Sequence, residues 1–288
     1  MRTIRSIAAM SVWSRQLRRE GVTIGFVPTM GALHAGHRAL IRAARLRCDV
    51  IVVSVFINPT QFGPKEDFSK YPRQLRRDQA VCRAEGTDVV FAPDTEAMYP
   101  ATFQTVVSVP GISTRWEGES RPAHFQGVAT IVTKLLGLCQ PDVVFLGQKD
   151  YQQVAVILRL VDDLNVGCQI VVHPTVRESD GLALSSRNKY LSPSQRQAAP
   201  VLYRSLQAGA HAIHNGTRSG SRLIRMMTRV IAQEPAAQID YLAVCDPVSL
   251  NPLSTVSGKC VLLGAIRFGR IRLIDNLLIS PSTAVSAK

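Results

Sequence analysis

Between Thr23 and about Thr175, short β-rich runs alternate with segments of helical length, and this alternation restricts the fold more than any other feature of the chain. It is the pattern of a parallel sheet whose strands are joined by crossover helices. The strand candidates are residues 23–27, 50–57, 89–92, 143–146 and 169–175. Residues 36–47, 73–85, 126–138 and 150–164 read as helices, because apolar positions recur there at three- and four-residue spacing. After Arg187 the character changes. Ser192-Pro193 supplies a cap and a first-turn proline, and helical segments run to about Glu234. Strand candidates follow at 239–245, 259–267 and 270–273. The expectation is an α/β chain: a Rossmann-like parallel-sheet domain over residues 1–177, then a smaller α+β domain over residues 178–288.

Composition removes several alternatives. The longest apolar stretch, residues 50–57, is far short of the roughly 20 residues a membrane-spanning helix needs. Residues 1–19 carry several Arg and no acid, but their apolar patch is short and is followed by Arg15, Arg18 and Arg19, which fits an amphipathic first helix better than a targeting peptide. The six cysteines are widely spaced, with no C-x-x-C pair, and read as reduced, mostly buried thiols of a cytoplasmic protein. A net charge of +13 could serve a polyanion. The basic residues are dispersed Arg without a basic tail or interleaved aromatics, so neither nucleic acid nor membrane is expected as a partner.

The first chemical constellation is Phe26-Val27-Pro28-Thr29-Met30-Gly31-Ala32-Leu33-His34-Ala35-Gly36-His37, which runs from the first strand candidate into the first crossover helix. A strand ending in a tight turn aims the next helix at the carboxyl edge of the sheet, where open α/β folds bind ligands. Unpaired amides and the positive dipole end at a helix start favour phosphate. His34 and His37, three residues apart, share a helix face, and Gly36 between them is read as room for a nucleotide to approach. Two imidazoles donating to one phosphate would stabilise the charge that grows on phosphorus during displacement. The segment resembles the signature of the nucleotidylyl-transferase superfamily, which implies attack on a nucleotide α-phosphate without naming the acceptor.

Four further segments narrow the resemblance: Val55-Phe56-Ile57-Asn58-Pro59-Thr60-Gln61-Phe62, Gly147-Gln148-Lys149-Asp150-Tyr151-Gln152-Gln153, Asp180-Gly181-Leu182-Ala183-Leu184-Ser185-Ser186-Arg187-Asn188, and Arg272-Leu273-Ile274-Asp275-Asn276. With the paired-histidine segment they make the chain similar to the pantoate-β-alanine ligase family over nearly its whole length. Asn58 and Gln61 carry amides that both donate and accept, as a hydroxy acid requires. Lys149 is a compact charge for phosphate, Asp150 can cap a helix or bind ribose, and the Arg187 fork suits phosphate oxygens.

The resemblance implies that His34, His37, Lys149 and Arg187 carry the catalysis. It places ATP against Met30, His34, His37, Gly147, Gln148, Lys149, Asp150, Val176, Leu184, Ser185, Ser186 and Arg187, and the organic substrates against Asn58, Gln61 and Gln153. Asp78 resembles a residue linked to Mg2+ near the phosphates, and Arg121 and His124 would face the site from a loop. The sequence departs from the family at Thr60, where Met is common, and at Ala123, where Gly is usual. The implied reaction condenses (R)-pantoate with β-alanine to pantothenate, a coenzyme A precursor, with ATP consumed through a pantoyl-adenylate. In that reading His37 handles protons and the chain is a homodimer. The rival enzyme is another nucleotidylyltransferase of the superfamily, such as a cytidylyltransferase, and the rival of another class is an RNA-binding protein on a synthetase-like fold.

Overall fold

The β-branched runs at residues 50–55, 89–91 and 143–147 form strands largely buried on both faces, as parallel strands covered by crossover helices must be. The structure, a computed structural model, describes residues 1–63 and 68–280. The chain divides into two units, one comprising Met1–Gln148 and Gln152–Thr175, the other Lys149–Tyr151 and the residues from Val176 onward. The division therefore falls two residues before the expected boundary at 177. It also places two expected ATP residues, Lys149 and Asp150, in the second unit together with Tyr151. Residues 281–288, assigned by sequence to the second domain, lie outside the described residues.

Among the described residues of the first unit, six strands form one parallel sheet: β1 Arg2–Ile4, β2 Ile24–Thr29, β3 Val50–Val55, β4 Val89–Phe91, β5 Val143–Gly147 and β6 Gln169–His173, in the order β1-β4-β3-β2-β5-β6. The expected Rossmann-like arrangement is present. The order reverses between β2 and β5, so the loops leaving these two strands flank the topological switch point where such sheets bind ligands. Val27, Ile41, Ile51, Val53, Val90 and Phe145 pack the core beneath the loop after β2. The expected first helix forms as Ile7–Arg19. Strand β1 ahead of it was not foreseen, because only Ile4 of its three residues is buried and so short a run shows no alternation.

The second unit packs helices Val201–His214 and Gly220–Ile231 against an antiparallel sheet of β7 Gln238–Cys245, β8 Cys260–Phe268 and β9 Ile271–Ile279. Leu206, Leu223, Met227, Leu262 and Ile266 fill its core. This is the α+β domain the sequence led us to expect. Strand β9 runs six residues beyond the expected end at Leu273, because Asp275 and Asn276 interrupt the apolar pattern although both are buried.

Candidate active site

After β2 the chain turns through Met30–Leu33 into helix Ala35–Arg45, and nearly every amide of the turn has a side-chain acceptor. Gly31 N–H donates to Thr29 Oγ1 at 3.1 Å. Ala32 N–H and Leu33 N–H donate to the two carboxylate oxygens of Asp78, at 3.1 and 2.8 Å. His34 N–H donates to His37 Nδ1 at 3.3 Å, and Gly36 N–H to His34 Nδ1 at 3.1 Å. The two rings lie 4.1 Å apart, centroid to centroid. These amides, expected to bind phosphate, are thus already engaged within the protein. Because each Nδ1 accepts an amide hydrogen, the neutral rings are fixed as tautomers that carry their proton on Nε2.

Two expectations change here. A Cβ at Gly36 would lie 2.9 Å from His34 Cε1, so this glycine makes room for the His34 ring rather than for a nucleotide. Asp78, expected near Mg2+, is about 1% exposed, and burial pushes its carboxyl above the ordinary range against the pull of the two amides. With each oxygen held by a loop amide, Asp78 braces the loop. No cluster of three or more His, Cys, Asp or Glu among the described residues could hold a metal ion.

The turn Pro59–Gln61 follows β3 and presents the buried Gln61. Gln61 donates from Nε2 to Met30 Sδ at 2.9 Å, which joins a residue expected near ATP to one expected near the organic substrate. Asn58 behaves differently from expectation. Its Nδ2 donates to Gln61 Oε1 at 3.2 Å and Gly127 O at 3.0 Å, while its Oδ1 accepts from Tyr99 OH at 2.8 Å and Thr60 Oγ1 at 3.0 Å. An amide has two donors and two acceptor sites, and all are used within the protein, so Asn58 orients Gln61 instead of touching substrate. Thr60, the departure from the family Met, contributes a hydroxyl to this network.

Helix His124–Cys139 closes on the turn at Gly127, where a Cβ would come within 2.4 Å of Thr60 O. Arg121 Nη2 donates to Gln61 O at 3.2 Å, and His124 Nδ1 lies 2.9 Å from the same carbonyl. A carbonyl can only accept, so His124 carries its proton on Nδ1, and its Nε2 accepts from Arg121 Nη1 at 3.1 Å. These two residues thus hold the Gln61 backbone. Gln153 is half-buried on helix Tyr151–Asp163. Its neighbour Gln152 is structural: it bonds Ile112 O, Arg115 O and Glu117 N–H, each within 3.0 Å.

Gly147 ends β5 and Gln148 follows it in the first unit. Lys149, Asp150, Val176, Leu184, Ser185, Ser186 and Arg187 belong to the second. There Lys149 Nζ pairs with Asp150 Oδ1 at 3.2 Å, Asn276 Nδ2 donates to Lys149 O at 3.0 Å, and Tyr151 OH donates to Pro247 O at 3.0 Å. Burial together with the nearby Asp246 pushes the Tyr151 phenol up to about 12, so it remains a donor. Leu184 N–H donates to Val176 O at 3.0 Å, which closes a hairpin. At its end Arg187 N–H donates to Ser185 Oγ at 3.3 Å, forming a compact Ser185–Arg187 turn. Tyr99, Gly127, Gln152 and the Asp275-Asn276 pair were not read as positioning groups, because each acts through partners distant in sequence that no local pattern displays.

A family model described as pantoate-beta-alanine ligase matches residues 2–278. A pantothenate synthetase of Heliobacterium modesticaldum is 50% identical over 279 residues, spanning 97% of this chain and 99% of that protein. One from Moorella thermoacetica is 49% identical over the same shares. Among solved structures, the pantothenate synthetase of Thermus thermophilus has a TM-score of 0.92 at 47% identity, covering 98% of this chain and 100% of its own. The pantoate-beta-alanine ligase of Francisella tularensis, complexed with beta-gamma ATP and beta-alanine, has a TM-score of 0.79 at 34% identity, covering 96% and 97%.

Proposed function

The chain belongs to the pantoate-beta-alanine ligase family, and from that premise we propose that it condenses (R)-pantoate with β-alanine at the expense of ATP, through a pantoyl-adenylate. A pantoate carboxylate oxygen attacks the α-phosphorus of magnesium-bound ATP, and pyrophosphate leaves. The free amine of β-alanine then attacks the activated carbonyl carbon, the acyl C–O bond breaks so that AMP leaves carrying the former carboxylate oxygen, and the nitrogen sheds one proton to water as the amide forms. No protein nucleophile takes part. Holding the reactants in line can supply about 7–11 kcal/mol of the barrier.

The observation that carries this reading is the pair of imidazoles whose Nδ1 atoms accept backbone amides. Fixed in that tautomer, His34 and His37 donate from Nε2 to the phosphate oxygens as charge accumulates there. His37, the proton-handling residue of the resemblance, can take up a proton on Nδ1 only by giving up its bond to His34 N–H, so in the resting geometry it acts as a donor from Nε2. Lys149 and Arg187 supply positive charge to the phosphates, and Ser185 and Ser186 supply hydroxyl donors. Gln61 and Gln153 bind pantoate. Met30, Gly147, Gln148, Asp150, Val176 and Leu184 complete the ATP contacts. The product is a coenzyme A precursor. A cytoplasmic setting is supported by six free thiols, five of them buried, and homodimerisation by the family resemblance alone.

The test supplies ATP, magnesium, pantoate and β-alanine and measures AMP together with pantothenate. AMP that forms only when both organic substrates are present is the expected result. His37→Ala should keep the fold while losing most pantoate-dependent pyrophosphate exchange, and near-normal exchange in that variant would refute the role given to the histidine pair.

A further inference from the structure

One family-like segment has no role in the reaction just described: Arg272-Leu273-Ile274-Asp275-Asn276 of β9. Adjacent residues of a strand project to opposite faces of the sheet. Asp275 shares its face with Leu273, Leu277 and Ile279, which contribute to the core of the second unit. A carboxylate there requires a partner, since an unpaired buried charge is very costly. The partner is Arg177, whose guanidinium donates to the two Asp275 oxygens at 2.6 and 2.9 Å. The same guanidinium stacks 3.8 Å from the Tyr203 ring centroid and donates to Gly181 O at 3.1 Å. Arg177 thereby ties down the hairpin that ends in Ser185, Ser186 and Arg187. On the other face, Asn276 Nδ2 donates to Lys149 O.

We infer that Asp275 and Asn276 form a two-sided anchor that positions both cationic elements of the ATP site, the Ser185–Arg187 turn through Arg177 and the Lys149 segment through its carbonyl. Both are positioning residues, for neither needs to touch a substrate. This inference rests on the function proposed above, because that reading is what assigns phosphate to Lys149 and Arg187. Tyr151 reinforces the second arm through its bond to Pro247 O.

The anchor serves the first half-reaction, in which β- and γ-phosphates are gripped, and not aminolysis, which begins after pyrophosphate has left. Asn276→Ala should lower kcat/KM for ATP in pyrophosphate exchange by about 10- to 100-fold, the size expected for a misplaced catalytic group. It should leave β-alanine attack on supplied pantoyl-adenylate within about twofold. In a Lys149→Ala background, Asn276→Ala should cost less than about twofold more, because it acts through a residue already lost. Tyr151→Phe, a milder change, should show the same split in smaller measure, and it carries the test if Asn276→Ala does not fold. Hydrogen exchange supplies a readout without turnover: Asn276→Ala should accelerate amides at 149–151, and Asp275→Asn those of Leu184 and Asn188, with the amides of Ala32 and Leu33 unchanged. Equal losses in both half-reactions, additivity with Lys149→Ala, or unchanged exchange at 149–151 overturns the anchor. Absence of pantoate-dependent exchange in the unaltered enzyme overturns the function instead.

Discussion

The loop 30–37 and the hairpin 176–188, both assigned to the nucleotide in the proposed function, are held in different ways. In the loop, backbone amides point at fixed acceptors: Thr29 Oγ1, both oxygens of Asp78 and two imidazole nitrogens. The hairpin hangs from a side-chain ion pair, Arg177 with Asp275, whose members are 16% and 4% exposed. Amide caps set a backbone position directly, whereas an ion pair sets it through two side chains that salt bridges elsewhere can tune. The first arrangement suits groups that must meet a transition state at one distance. The second suits charges, whose attraction falls off gently with distance.

The largest effect is expected where one side chain holds two of the loop amides. Asp78→Ala leaves two buried amides without acceptors, each costing about 1–3 kcal/mol, and frees the turn that aims both histidines. Pyrophosphate exchange should fall by at least about 100-fold. Asp78→Asn should recover little, because its NH2 would face an amide N–H where an oxygen now accepts. If Asp78→Ala retained near-normal exchange, the contrast between a backbone-fixed loop and a side-chain-hung hairpin would collapse. A smaller and more selective effect is expected at Gly127. An added methyl must displace the Thr60 carbonyl, an overpacking cost of about 1–3 kcal/mol. Gly127→Ala should raise KM for pantoate, since the turn carries Gln61, and should leave ATP binding nearly unchanged, as measured by calorimetric titration.

The sequence disclosed the elements better than their fastenings. Alternating β-rich runs and helical periods revealed the strands that frame the switch point, because burial on both faces leaves a continuous apolar signature in β3 and β5. His34, His37 and Gln61 could be singled out because their side-chain chemistry suits the proposed reaction. Their supports could not be. Asp78 was read as a residue linked to Mg2+, since nothing in its neighbourhood tells that Ala32 and Leu33, 46 and 45 residues earlier, turn their amides toward it. Asn58 looked like a substrate ligand because its amide chemistry suits one, and only the positions of Tyr99 and Gly127 show that its hydrogen-bonding capacity is spent. The end of β9 was missed for a related reason: buried Asp275 and Asn276 break the hydrophobic alternation from which strands are read.

The smallest expected effect separates two carboxylates on neighbouring parts of the first unit that respond to pH with opposite sign. Glu85 accepts from Arg42 and Arg38, and these bonds, that of Arg42 foremost, hold its carboxyl below the ordinary value of 4.5. Its folded pKa is depressed, so its contribution is present above the unfolded value and disappears as pH falls through the folded one. Asp78 is raised by burial, so between its ordinary value of 3.8 and its folded value the native state binds the extra proton, and stability drops as pH rises through that window. Glu85→Gln should therefore lower the melting temperature at pH 7 by about 1–3 °C, a modest figure because both arginines are well exposed. The difference from the unaltered enzyme should shrink with added salt, since screening weakens exposed pairs, and vanish in acid below the Glu85 pKa. A difference that persisted in acid would mean that Glu85 stabilises by packing and not by charge, whereas Asp78→Ala should remain destabilising at every pH, because its amides lose their acceptors whatever its protonation state.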